Sequence, residues 1–252
     1  MKWMLSLQFS IAVGLILITA ASNTTIPIFE NRPLQEYSPV SPGDQFRPYE
    51  VRQFRVSQDD LENEIKLGNP AQLPENIEFE LFSIPKLGDV LLLSGRIANG
   101  DANRFTAFLD DLVKPPDHIA FHSPGGRLRE ALEIGREIRN REHNTLLTPN
   151  SICLSSCPYS FAGGITRTVS DKAIVGLHQH YFEQPKYLPV VFAVEAIQNG
   201  QAETMEHLKS MGVDPAISIL AMKTAPNDIY ILLPSELEEY LLATSLLERP
   251  GS

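Results

Sequence analysis

From Ile77 onward, strand-like and helix-like patterns alternate, and that alternation limits the fold more than any other feature of the chain. Residues 77–84 and 89–97 are rich in Phe, Leu and Ile and read as strands. Residues 101–113 set Phe105, Phe108, Leu109 and Leu112 at helical spacing. A short buried strand over 119–121 leads into Ser123-Pro124-Gly125-Gly126, and a helix over 127–139 turns Leu128, Ala131, Leu132 and Gly135 to the sheet. The pattern continues with a strand over 145–154, a short helix over 159–163 and a strand over 172–178. Helices follow within 190–211 and over 214–223, the second with Asp214 as cap and Pro215 in its first turn. A last strand over 229–233 precedes a helix over 237–242. Repeated strand and helix units imply right-handed crossovers and a mainly parallel sheet covered by helices. The expectation is one α/β domain over residues 76–250.

The rest of the chain differs in kind. Lys2 precedes an apolar stretch from Trp3 to Ala21 that is densest over residues 11–18. Thr19-x-Ala21 and Ala20-x-Ser22 fit the small-x-small pattern of a secretory cleavage site. Ser6, Gln8, Ser10 and Gly14 interrupt the run, so residues 1–22 read as a cleaved signal in preference to an uncleaved anchor. Export to the periplasm is expected, with a tether to the inner membrane as the alternative. Residues 23–75 are broken by Pro27, Pro33, Pro39, Pro42 and Pro48 and read as extended chain. One helix fits within them, capped by Ser57 and ended by Gly68. With 21 basic against 31 acidic residues and no basic cluster, the chain is no partner for nucleic acid or anionic lipid. Two cysteines, Cys153 and Cys157, are too few for a disulfide-built mini-domain.

The chemistry gathers in an ordered set. Ser123-Pro-Gly-Gly is followed by Ser156 within Cys153-Leu-Ser-Ser-Cys157-Pro158, then by Leu177-His178-Gln179-His180, then by Asp228. These are the parts of an acyl-transfer site: oxyanion donors, nucleophile, base and orienter. Ser156 precedes a short helix whose first turn tolerates Pro158. Gly125 and Gly126 lack a Cβ, so their N–H groups can approach a substrate carbonyl closely. His178 then serves as general base and Asp228 holds its tautomer.

The same residues resemble the ClpP/crotonase superfamily, in particular the proteolytic subunit of the caseinolytic Clp protease. The likeness runs from about Gly88 to Leu247 through Leu93-Ser94-Gly95-Arg96-Ile97, Ser123-Pro-Gly-Gly126, Ser156, His178-Gln179, Asp228 and Pro234-x-Glu236. It implies the repeated β-β-α fold of that superfamily, with Gly125, Gly126 and the Cys157 N–H forming an oxyanion hole. The chain is also similar to exported bacterial proteins of the superfamily that carry a Cys-x-x-Ser-Cys segment. The activity implied is that of a serine peptidase acting on a peptide or protein, with a homo-oligomer as a compatible state. No Walker loop is present, so ATP independence is expected, and no cofactor is read.

Each assignment has a rival. Pro-Gly-Gly is a common turn, and Ser155 and Ser156 are ordinary helix caps, with Ser155 the fallback nucleophile. Asp228 lies in Pro226-Asn227-Asp228, where a turn role is natural and Asn227 could orient a histidine instead. Cys153, Cys157, His178 and His180 have the residue types of a zinc site, but that would leave the Gly-Gly turn unexplained, so no metal is expected. In an oxidising compartment a Cys153 to Cys157 disulfide is the preferred reading, stiffening the serine loop. A fold relative that binds peptides or assembles without catalysis is the alternative function. Acyl-CoA chemistry is a third, which export disfavours.

Overall fold

The computed structural model describes residues 72–84, 87–180 and 190–247. The apolar N-terminus, the proline-rich segment up to residue 71 and its helix between Ser57 and Gly68 lie outside them. Among the described residues no helix is long and apolar enough to cross a membrane.

Among the described residues nine strands form two sheets. The larger has the order β1 (Glu78–Ile84), β2 (Gly88–Ser94), β3 (His118–His122), β4 (Asn144–Leu147), β6 (Arg167–Ser170) and β9 (Ser245–Leu247). The smaller joins β5 (Ile152–Leu154), β7 (Ile174–Leu177) and β8 (Tyr230–Ile231). Among the described residues only β1 with β2 and β7 with β8 pair antiparallel, and every other ladder is parallel. The protein is thus α/β, with a mostly parallel mixed sheet covered by helices.

Burial explains the sequence pattern. Val90, Leu91, Leu92 and Leu93 of β2 are all buried, as expected for a parallel strand covered on both faces. On one face lie α1 (Asp101–Asp111) and α2 (Leu128–Asn140), which send Phe105, Leu109, Leu132 and Ile138 into the main core. A smaller cluster of Ile84, Val90, Leu92, Ala120 and Leu146 fills the other face. The remaining helices are α3 (Cys157–Phe161), α4 (Val190–Ser210), a 3-10 turn over Pro215–Ile217 that runs into α5 (Ser218–Lys223), and α6 (Pro234–Glu239).

Two expectations change at the level of elements. The strand expected over 145–154 is broken at Thr148-Pro149-Asn150-Ser151, where Asn150 takes φ 63° and the chain crosses from the larger sheet to the smaller. Proline removes a ladder donor and asparagine tolerates the left-handed turn, so a crossing is cheapest there. The strand over 229–233 is not the last, and β6 and β9 went unread because they are short and partly polar. β6 carries Arg167, 4% exposed, whose guanidinium donates to the carbonyls of Gly164, Met211, Leu241 and Leu242. Arg139 donates to the carbonyls of Ala162, Gly164 and Met211 beside it. Burial lowers the Arg167 pKa to about 10, with the Arg139 charge adding to the effect, so both cations persist at neutral pH.

Candidate active site

The site forms at the seam between the sheets, past the C-terminal ends of β3, β5 and β7. Ser123 bridges to Cys153, its N–H donating to the Ile152 carbonyl at 2.8 Å while its own carbonyl accepts from Leu154 N–H at 3.0 Å. That bridge sets the Ser123-Pro-Gly-Gly turn directly against the start of the serine loop. The ends of parallel strands are where α/β folds leave backbone groups free for ligands.

Ser155 is the residue that meets His178. Its Oγ lies 2.8 Å from Nε2 of His178. It follows β5 directly and takes φ 61°, a left-handed conformation that L-residues other than glycine rarely adopt. Its N–H donates to the Gly176 carbonyl at 2.9 Å, tying the turn to β7 just before the histidine. The strained turn between strand and helix lifts one hydroxyl clear of both elements.

Ser156, expected as the nucleophile, sits instead at the N-cap of α3 with φ −82°. Its hydroxyl is buried and has no hydrogen-bond partner among the described residues. The shift by one residue has a local cause. The turn from β5 to α3 takes two residues, so the first of them points into the seam and the second begins the helix.

His178 is oriented by the backbone. Its Nδ1 lies 2.7 Å from the Gln179 carbonyl, which can only accept, so Nδ1 carries the proton and Nε2 presents a lone pair to Ser155. Burial lowers its pKa below the ordinary histidine value, partly offset by the bond to Gln179. Asp228, expected as orienter, is exposed and accepts from the N–H of Ile229 at 2.8 Å. It acts as the turn residue that the sequence also allowed, and Asn227 beside it is exposed too.

Gly125 and Gly126 stand where the turn needs them. Gly125 has φ 87°, and a Cβ there would lie 2.7 Å from the Ser155 Cβ and 2.9 Å from the Ser156 nitrogen, and would run into the Leu154 carbonyl. Its N–H already donates to Ser123 Oγ at 3.1 Å. The N–H groups of Gly126 and Ser156 meet no acceptor among the described residues. With Ser155 as nucleophile, the donor on the following residue is Ser156 rather than Cys157.

Cys153 and Cys157 have their sulfurs at disulfide distance and their Cα atoms 5.1 Å apart, with both side chains fully buried. Sulfurs bonded to each other cannot ligate zinc, and among the described residues no group of three or more His, Cys, Asp or Glu could hold a metal ion.

Beside His178 a small cleft of about 10 Å³, partly open to solvent, lies among Tyr159, His180, Thr204, Met205, Ser218 and Met222. His180 Nε2 is 3.3 Å from the Tyr159 hydroxyl. Burial, followed by the nearby His178, pushes the His180 pKa down to about 4. The Gln179 carbonyl and the pair of Tyr159 and His180 were not read from the sequence. The first is a backbone group that no residue type reveals. Ser155 did carry a signal: it is the midpoint of the two cysteines.

Known protein families contain no match to this chain, and no curated protein matches it.

Proposed function

We propose that the chain is an exported, ATP-independent serine hydrolase with a ClpP/crotonase-like fold, most simply a peptidase, whose working unit is Ser155 and His178. The observation that carries this reading is the 2.8 Å contact between Ser155 Oγ and a histidine whose other nitrogen is committed to a carbonyl. Alternating β-α units, two sheets meeting at a Gly-Gly turn, and the ordered motifs from Ser123 to His178 support the fold assignment.

The chemistry follows from these positions. Nε2 takes the Ser155 proton as the hydroxyl attacks a substrate carbonyl, and the imidazolium so formed keeps its Nδ1–H on Gln179. The oxyanion that develops is met by the unclaimed N–H groups of Gly126 and Ser156. Nε2 then returns the proton to the leaving amine or alcohol, and water repeats the sequence to free Ser155. A carbonyl dipole stabilises the imidazolium less than a carboxylate would, so the Gln179 contact by itself fits a modest turnover.

The substrate is a peptide or protein reached in the periplasm, with nucleic acid excluded by the acidic charge. An N-terminal membrane tether and a homo-oligomer are compatible with this reading. The non-catalytic alternative draws on burial, since Ser155 and His178 are 7% and 5% exposed. A fluorophosphonate probe decides between them. Labelling mapped by mass spectrometry to Ser155 supports the hydrolase; a purified mature chain that neither labels nor cleaves peptide and ester libraries supports the binding protein.

A further inference from the structure

We propose that the Cys153 to Cys157 disulfide is a latch that sets the nucleophile, so that the site is latent in the dithiol chain and becomes competent on oxidation after export. The proposal rests on the reading of Ser155 as nucleophile and concerns how that same site is switched on.

The two cysteines flank Ser155 at equal distance, and the bond closes over the one left-handed residue of the loop. Besides the bonds from Ser155 to the Gly176 carbonyl and to His178, the flanking elements are too short to hold it. β5 has three residues and α3 has five, so neither element imposes its geometry on the residues between them. The loop also carries two local costs, the left-handed backbone of Ser155 and the buried, unbonded hydroxyl of Ser156. Conformations of this kind persist only where the surroundings over-determine them. A covalent closure five residues long does this locally while constraining the unfolded chain less than a long loop would. Its effect therefore falls on the Ser155 geometry more than on overall stability.

The oxidation is a thiol–disulfide exchange. The two protein thiols give up two electrons and two protons to an incoming disulfide, which leaves as two thiols, and the sulfur–sulfur bond of the chain forms. Both sulfurs are fully buried in the folded domain. The exchange therefore belongs to folding, and thiols cannot reach the finished bond without local opening. The latch closes once.

The test compares the full chain, purified without reductant, with its C153A/C157A variant. Fluorophosphonate labelling of Ser155 should slow on the order of a hundredfold in the variant, the scale set by a misplacement of about 1 Å. Its circular dichroism should stay native, and the Ser155 and Ser156 amides should exchange hydrogen about tenfold faster. Equal labelling rates in a folded variant, or unchanged exchange at those amides, overturn the latch. If the variant does not fold, the natural chain is refolded in glutathione buffers of graded potential. Labelling per folded molecule should then follow the disulfide fraction along a two-electron curve, and equal labelling of dithiol and disulfide forms refutes the proposal. If the oxidised chain never labels, the hydrolase reading falls separately. Amide exchange then decides the latch alone, faster exchange upholding it and unchanged exchange ending it.

Discussion

Alanine at Ser155 and alanine at Ser156 should have opposite consequences, although the residues are adjacent and chemically identical. Ser155→Ala removes the hydroxyl that bonds Nε2 of the buried His178 and so deletes that hydrogen bond. Such a loss costs about 1–3 kcal/mol. The left-handed backbone is as strained for alanine as for serine, so nothing is regained there. On the proposed hydrolase reading, activity should fall by about a millionfold, as when the nucleophile is removed from a serine hydrolase. Ser156→Ala instead deletes a hydroxyl that is 2% exposed and unbonded among the described residues. Burying an unbonded hydroxyl costs about 1–3 kcal/mol on mutational scales, so its removal should stabilise the fold by about 1 kcal/mol. For a domain of this size that is a rise in Tm of about 2–4 °C. Turnover should change little, because the contribution assigned to Ser156 is its N–H, which alanine keeps. Thermal denaturation and probe labelling of the two purified variants measure both quantities. A Ser156→Ala protein that is inactive, or that melts lower than its parent, would refute the assignment of the two serines.

Asp228→Asn should leave turnover and Km close to those of the parent, since the exposed carboxylate bonds only its neighbour Ile229 and an amide oxygen can accept the same N–H; a large drop in kcat would restore the aspartate to the machinery. Gly125→Ala should abolish labelling and destabilise the fold by roughly 2 kcal/mol or more, because φ 87° disfavours a Cβ and the space is filled by backbone of the serine loop. Denaturant melts and labelling together check this. The acid limb of kcat/KM should lie below pH 6.5, since burial keeps His178 neutral below the ordinary histidine range. His178, His180 and His207 are all held below 6.5 in the folded state, so the unfolded chain binds more protons there. Stability should be complete above pH 6.5 and decline toward pH 4 as the folded values are passed, and a urea midpoint as high at pH 4.5 as at pH 7.5 would contradict this.

The elements visible in the sequence were those with enough apolar residues to show a period. The helices over residues 101–113 and 127–139 appear as Asp101–Asp111 and Leu128–Asn140, and the strand over 77–84 as Glu78–Ile84. β6 was hidden because its inward residue is an arginine, bonded to backbone carbonyls in a way residue type does not announce. The site was legible as a set of residue types in order, since a Gly-Gly turn, serines and a histidine each follow a strand. The assignment within it was not. Which serine faces His178 depends on how many residues the turn consumes, and which group orients that histidine depends on a main-chain carbonyl. Asp228 was read as an orienter because its spacing fits a catalytic aspartate, yet its short side chain closes a local bond first.

The buried arginines give the end of the chain an importance its exposed, acidic sequence conceals. Two of the four carbonyls that solvate Arg167 belong to Leu241 and Leu242, and among the described residues neither Arg167 nor Arg139 meets a carboxylate. A stop codon placed just before Leu241 would remove few core side chains but strand a cation in the interior with half its acceptors gone. Affinity tags and fusions at this end should therefore keep everything through Leu247, because β9 pairs with β6 and the carbonyls before it solvate Arg167.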